Sequence, residues 1–399
     1  MTKYIFTSSM LFILSLSLYS QNSIDSVLVQ IERNNATLSV LRKQVDAQKL
    51  ANKTGIYIQN PELEFNYLWG NSAEIGNRTD FSIKQAFDFP TAYHYKNQIS
   101  NLRNQQVDIE FRKQRNSIIF ESRLICIDLV YLNALKVIYN IKIAYAQSIA
   151  NAYKAKFEKG ESNIIEFNKS QINLLNVNKE AEMNELERIS LLSELVRLNG
   201  KLPIELTDSL FQTQLIPSDF EQWYKEVEQN NPVISWIKKE IGISREQEKL
   251  NFALGLPKFY AGYMSEKIVG QHFQGISAGI TIPLWENKNM RKQSKAQTLT
   301  LQSMETDNKL QFYNQLKIQH KKAVQLQKSV NDYRLNLKKF DNSELLKKAF
   351  DKGEISLSEY ILELTIYYGS MSMLLQSERE LNKTIANLYL YSEQDLMAD

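Results

Sequence analysis

One cysteine serves the whole chain of 399 residues, so no internal disulfide can form. This residue, Cys126, lies in Arg123-Leu-Ile-Cys-Ile-Asp, an apolar helical stretch in which burial is its expected role. Histidine is nearly absent: His94, His272 and His320 are scattered and offer no metal cluster. Net charge is also small, +3 from 48 Lys and Arg against 45 Asp and Glu, and no basic block stands out, which argues against a nucleic-acid partner. A Gly-rich phosphate loop with a following Lys, a nucleophile elbow and an HExxH motif are all missing, so neither an enzyme nor a cofactor is expected. His94 follows Tyr93 at a helix start and reads as a surface residue rather than a base. After residue 20 there is no apolar run of helix-spanning length, so a mature chain that enters a membrane must do so as strands. Breakers are scarce, with 13 Gly and 7 Pro, and this predicts long helices.

The N-terminus, MTKYIFTSSMLFILSLSLYSQ, has one Lys, an apolar run from about Met10 to Leu18, and then small and polar residues. This is the layout of a secretory signal peptide over residues 1–20, with cleavage expected near Ser20. The bland alternative is a buried N-terminal helix.

The rest of the chain repeats itself. Residues 157–167 read FEKGESNIIEF and residues 350–360 read FDKGEISLSEY, an offset of 193. Asn34-Asn35-Ala36 matches Asn230-Asn231-Pro232, and Pro61 matches Pro257, both at 196; Phe89-Pro90 matches Ile282-Pro283 at 193. The predicted units are residues 21–200 and 220–399, joined by a linker over 201–219. Each unit is expected to run through a helix (about 23–57 and 220–252), two strands, a very long helix, a break at the KGE glycine and a final helix (about 164–199 and 356–392). No Gly or Pro interrupts the chain between Pro90 and Gly160 or between Pro283 and Gly353. A helix filling such a gap would be about 100 Å long, too long for a compact domain. It belongs to a rod or a cylinder wall, and apolar positions that step mostly by three and four residues, such as Phe312, Leu316, Ala323, Leu326 and Val330, supply a coiled-coil stripe.

The strand-like stretches, about 61–90 and 257–283, alternate. Leu63, Phe65, Tyr67 and Trp69 oppose Glu62, Glu64 and Asn66; Phe81, Ile83, Phe87 and Phe89 oppose Asp80, Ser82, Lys84 and Asp88. Phe259, Ala261 and Tyr263 oppose Lys258, Tyr260 and Gly262; Ile276, Ala278, Ile280 and Ile282 oppose Ser277, Gly279 and Thr281. Such alternation with aromatic ends fits barrel strands in a membrane. A soluble hairpin lying on a core fits equally well for any one strand. Four strands cannot close a membrane barrel, whereas several chains contributing four each can.

With its signal peptide, its two repeats, its paired KGE turns and its strand-end motifs QAFDFP (85–90) and ITIPLWENK (280–288), the chain resembles the TolC-like outer-membrane efflux channel family over nearly all of its mature length. The resemblance implies a mostly helical fold with a small transmembrane β part. Three copies would form a 12-stranded barrel in outer-membrane lipid on a 12-helix periplasmic tunnel of a Gram-negative bacterium. It implies a homotrimer that works passively with a periplasmic adaptor and an inner-membrane pump. Gly160 and Gly353 would then lie in the periplasmic tip turns where the adaptor docks, at positions needing a positive φ or a close approach. Glu166 and Glu359, six residues on, would form acidic rings at the tunnel entrance; the alternative for both is a solvated helix face. Leu362 stands where some members carry a further carboxylate, which weakens the case for a doubled acidic gate. Pro90 and Pro283 would mark strand-to-helix junctions, and Trp69, Phe87, Phe89, Tyr263 and Trp285 the membrane-interface aromatics.

The length of the chain and QAFDFP look like the subset paired with heavy-metal resistance-nodulation-division pumps, so metal cations are the expected cargo. Drugs, bile salts or a secreted polypeptide are alternative cargoes. A periplasmic coiled-coil adaptor is the alternative class, but adaptors carry one helical hairpin where this chain carries two. A porin fits poorly because porins are nearly all strand.

Overall fold

Asparagine sets the first boundaries of the fold. The computed structural model describes residues 23–72, 74–212 and 215–391, so the signal-peptide segment lies outside the described residues. Helix α1 (Ile24–Asn34) stops at Asn35, whose side chain accepts from the Leu38 backbone N–H at 2.9 Å and thereby starts α2 (Ala36–Ala51). In the second half α5 (Phe220–Asn230) stops at Asn231, which accepts from the N–H groups of Val233 and Ile234 and starts α6 (Pro232–Leu254). The single leading helix expected in each half is therefore two helices. The matched Asn pair marks the break, because an Asn side chain that satisfies the next helix's free N–H groups favours a cap over a helix interior.

After α2 come β1 (Glu62–Leu68), β2 (Arg78–Phe87), α3 (Pro90–Glu158) and α4 (Ile164–Leu198). After α6 come β3 (Lys258–Ile268), β4 (Gln271–Thr281), α7 (Met290–Lys339), α8 (Ser343–Asp351) and α9 (Leu357–Tyr389). Helix α3 is unbroken over 69 residues, as its lack of Gly and Pro requires. Its counterpart is not: the helix begins at Met290 rather than beside Pro283, and Phe340, Asp341 and Asn342 divide α7 from α8. Asp341 Oδ1 accepts from the Ser343 N–H at 3.0 Å. Asp-Asn-Ser is a run of cap-forming side chains that ends a helix without Gly or Pro.

The helices stand in four columns. Helices α2 and α4 pack on one flank of α3, α6 and α9 on the other, and α7 beyond α6 and α9. Where α1, α3 and α4 meet, Val27, Ile31, Cys126, Leu129, Val130 and Leu195 form one core. A second joins α5, α6, α7 and α9 through Tyr224, Ile234, Phe312, Leu316 and Ile385. Burial raises the Cys126 thiol to about 12, so the lone cysteine packs as a small apolar side chain. One window of α3 has a mean hydropathy of 1.6, yet half of it is buried against the neighbouring helices, the signature of a core helix. Residues around the linker tie the two cores together: Asn133 donates to the carbonyls of Leu206 and Asp208 at 2.9 Å, and His320 Nε2 meets the Pro217 carbonyl at 2.7 Å.

One glycine is fixed by contact. Gly200 follows α4 with φ +65°, and a Cβ there would sit 2.4 Å from the Asn34 carbonyl oxygen. Substitution Gly200→Ala is expected to lower stability by roughly 2 kcal/mol, the left-handed backbone cost together with displacement of the α1–α2 junction. Thermal unfolding of the purified variant checks this.

Candidate functional site

The four strands form a single antiparallel sheet in the order β1-β2-β3-β4, so β2 and β3 join the two halves and β1 and β4 are open edges. Its register places Leu63, Ile83, Tyr263 and Ile276 in one cross-sheet row, and Phe87, Phe259 and Ile280 in another on the same face. Ile276 is 92% exposed, and among the described residues no helix packs substantially on either face. A soluble hairpin would bury that apolar face on a core, and among the described residues no core covers it. A strand crossing a membrane at a tilt needs about 9–11 residues; β2, β3 and β4 have 10, 11 and 11. The opposite face is polar and paired, with Lys84 Nζ 3.5 Å from Glu64 and Arg78 Nε 2.8 Å from Asp80 and 3.3 Å from Glu266. Close packing on that face selects glycine, since a Cβ at Gly262 would meet the Ile83 carbonyl oxygen at 2.3 Å.

The aromatics divide between the two ends of the sheet. Trp69, past the end of β1, packs edge-on to Tyr67 at 5.4 Å, and the Tyr67 hydroxyl accepts from Asn77. At the helical end lie Phe87, Phe89, which leans on Phe259 at 6.4 Å, and Trp285, which is exposed. Tyr263 differs from the expectation: it sits in the middle of β3, opposite Ile83 and Ile276, with its hydroxyl donating to Gln274 Oε1 at 2.9 Å. Pro90 occupies the first turn of α3, where its missing N–H costs nothing. Pro283 instead lies in the segment between β4 and α7, ahead of the turn at Asn289, whose φ is +67°.

At the other end of the rod the two KGE turns are built alike. Gly160 has φ +76° and its N–H donates to the Phe157 carbonyl at 3.0 Å, while the Glu161 N–H reaches the Lys156 carbonyl at 2.8 Å. Gly353 has φ +75°, with Gly353 to Phe350 at 3.0 Å and Glu354 to Ala349 at 2.9 Å. Both are Schellman caps, in which a left-handed glycine lets two N–H groups close the helix end. Nothing lies within 4 Å of a Cβ added at either position, so the positive φ, not a close approach, selects glycine in the isolated chain.

The turns also explain the aromatics that the repeated motif carries. Phe157 stacks on Phe167 at 5.1 Å and 14°, and Phe350 on Tyr360 at 4.4 Å and 5°. Each pair closes its turn as a clasp from the last turn of one helix to the first turn of the next, a role for which the sequence offered only the matched spacing. Beneath the second clasp, Ile149, Tyr153, Leu357 and Tyr360 pack α3 against α9. Lys169 Nζ of α4 donates to Ser358 Oγ of α9 at 2.6 Å.

Glu166 and Glu359 occupy the same place in this design. Asn163 caps α4 by accepting from the Glu166 N–H at 2.9 Å, and Ser162 Oγ lies 3.1 Å from the Glu166 carboxylate. Ser356 caps α9 in a reciprocal capping box with Glu359. The Ser356 N–H that Glu359 accepts at 2.8 Å holds that carboxyl below the ordinary glutamate range. A carboxylate in the first helical turn stabilises any helix start. The matched register of the two glutamates therefore follows from capping, whatever else they face.

Substitution of Gly160 or Gly353 by Val is expected to cost each turn about 1–2 kcal/mol in the left-handed backbone. With open space around both positions, the rest of the fold should survive, and thermal unfolding of each variant checks the cost. Variants as stable as the wild type would show that the left-handed backbone is not what selects glycine at these turns.

No protein-family model matches the chain, and no curated protein matches its sequence. Solved structures do match over most of its length. CusC, described in connection with transmembrane channel formation, superposes with a TM-score of 0.74 at 13% identity, covering 93% of this chain and 92% of its own. The outer-membrane channel CmeC of Campylobacter jejuni gives 0.74 at 13%, covering 94% and 88%. The outer-membrane protein VceC of Vibrio cholerae gives 0.73 at 9%, covering 92% and 95%. The fold is thus TolC-like, mostly helical with four antiparallel strands in two hairpins.

Proposed function

We propose that this chain is the outer-membrane channel of a tripartite efflux system, a passive duct rather than an enzyme. One observation carries the reading: among the described residues a four-stranded sheet, apolar on one face and uncovered on both, has two open edges and stands on a four-column helical wall. In lipid an open strand edge is intolerable, so the sheet must close with other copies. Three copies supply 12 strands and 12 helical columns. The wall would hang into the periplasm of a Gram-negative bacterium, with residues 1–20 as the export signal, residues 21–200 and 220–399 as the two repeats, and residues 201–219 as a strap around the tunnel. Gly160 and Gly353 would meet the adaptor at the tip. Glu166 and Glu359 would line the entrance, where rings of carboxylates attract cations and repel anions. Trp69, Phe87, Phe89 and Trp285 would sit at the two lipid interfaces. The sequence carries no Gly-rich phosphate loop with a following Lys, and the driving energy would come from the inner-membrane pump, proposed to be of the resistance-nodulation-division type.

For the cargo we propose heavy-metal cations, on the likeness of QAFDFP and the chain length to that subset. Cells lacking the gene, challenged with zinc, cobalt, cadmium, copper and silver alongside detergents and dyes, test both levels. Sensitivity confined to metals supports the cargo. Sensitivity to amphiphiles alone keeps the duct and replaces the cargo with drugs or bile salts. Normal growth throughout, with the chain absent from the outer-membrane fraction, would favour a periplasmic scaffold.

A further inference from the structure

Among the described residues the column order leaves two helical edges without a neighbour, α2 with α4 on one side and α7 on the other. Both carry apolar side chains where no partner lies. On α4, Ser170, Val177 and Asn184 are buried; Ile172, Leu175, Leu186 and Ile189 point the opposite way at this helical spacing, each at least half exposed. On α7, Ala323 and Val330 are buried, and Ile318 and Leu335, on the opposite side, are 65% and 69% exposed. Charges continue both stripes: Lys179 and Glu182 on α4, and exposed Lys328 and Asp332 on α7. Lys179 and Glu182 pair with each other at 3.0 Å across the exposed face. Lys328 and Asp332 pair with no charge of their own chain among the described residues.

We propose that the α4 edge of one copy seats against the α7 edge of the next, with Glu182 meeting the partner's Lys328 and Lys179 meeting the partner's Asp332. This rests on the closed-trimer reading and adds the faces and their register. The register follows from symmetry. Rotation about the tunnel axis moves no copy along it, so residues that meet must lie at equal heights above the tip. Heights can be counted from the tip glycines to within about six residues, because pairs within the chain follow this rule that closely: on α7 itself, Arg334 and Glu378 lie 19 and 25 residues from Gly353, and Lys322 and Glu380 lie 31 and 27. Lys136 and Glu185, in contact at 3.1 Å, lie 24 and 25 residues from Gly160. Asp128 and Lys383, at 2.6 Å, lie 32 residues from Gly160 and 30 from Gly353.

By the same count, Glu182 is 22 residues from Gly160 and Lys328 is 25 from Gly353; Lys179 and Asp332 are 19 and 21 away. Offsets of two or three residues amount to about 3–5 Å along a helix, within reach of these side chains. Opposite charges meet in both pairs, and Ile189 and Val324 fall level, each 29 residues from its tip glycine. The faces differ, so the contact is heterologous and closes as a ring, as a tunnel requires.

The double variant Glu182→Cys, Lys328→Cys of the full chain, oxidised mildly in the membrane, tests this. Both positions are exposed, so the fold of the single chain should be untouched. Cys126, buried with its thiol pushed up to about 12, should not compete. We expect covalent dimers and trimers on a denaturing gel, at least tenfold above the yield of Glu182→Cys, Lys321→Cys, whose second cysteine lies one heptad higher. Charge reversal provides the second reading: Glu182→Lys and Lys328→Glu should each reduce trimer yield, and together restore it. Absent cross-links, or a stronger Lys321→Cys product, in a chain that still runs as a trimer would overturn the pairing and leave the trimer standing. A wild-type chain that is not trimeric would overturn the trimer reading itself.

Discussion

Ile276→Arg is expected to keep the chain out of the outer membrane. Ile276 lies midway along β4 on the apolar face, level with Leu63, Ile83 and Tyr263, and is the most exposed apolar side chain of the sheet at 92%. An arginine on the lipid face near the bilayer midplane costs about 2–4 kcal/mol. Three copies in one barrel multiply that cost, and export should be abolished. The control is Gly275→Arg, one residue away on the opposite face, where an added Cβ meets nothing within 4 Å. It should insert normally and alter only conduction. Quantifying both variants in the outer-membrane fraction checks the account. Equal insertion would mean that the face is not in lipid.

The second large effect lies inside the wall. Glu32 of α1 and Arg115 of α3 form an ion pair with side chains only 6% and 9% exposed. The second carboxylate oxygen of Glu32 accepts no hydrogen bond, so the pair already carries desolvation cost. Substitution Glu32→Ala removes the carboxylate that Arg115 Nε meets while the guanidinium keeps other contacts, among them Asn116 Oδ1 at 3.2 Å, so the loss of this one charged hydrogen bond is expected to cost about 1–3 kcal/mol. Replacing both members by apolar residues, Glu32→Leu with Arg115→Met, should be nearly neutral, because the desolvation cost goes with the attraction. Thermal unfolding of the three proteins decides between the outcomes. A single variant as stable as wild type would show that the pair contributes nothing to the α1–α3 contact.

Much of this architecture was legible in the residues. The scarcity of Gly and Pro announced α3, strict alternation announced the strands, and the two KGE motifs announced turns that the structure closes as identical caps. What escaped detection follows one physical rule. Side chains that bond the next helix's free N–H groups, such as Asn35, Asn231 and Asp341, end helices as firmly as glycine, yet in a sequence they pass for ordinary polar positions. The leading helices are each divided, and α7 stops twelve residues short of its counterpart, at Lys339 where the match to Glu158 is Asp351, for this reason. The clasps of Phe157 on Phe167 and of Phe350 on Tyr360 needed coordinates, because spacing alone does not say that two rings face each other. The Glu32–Arg115 pair joins positions 83 residues apart, and no local pattern marks it. Conversely, the matched glutamates looked functional in the sequence because they recur, and the structure supplies capping as a sufficient reason for the recurrence.

The central claim is that one chain supplies a third of a duct whose sheet closes in lipid. Electron cryo-microscopy of the full-length chain in outer-membrane lipid nanodiscs tests it most directly. The account predicts three copies around one axis, a barrel of 12 strands within the lipid, and the tip turns at Gly160 and Gly353 level at the far end of the helical tunnel. A single copy whose sheet folds back over its own helices, outside the lipid, would contradict it.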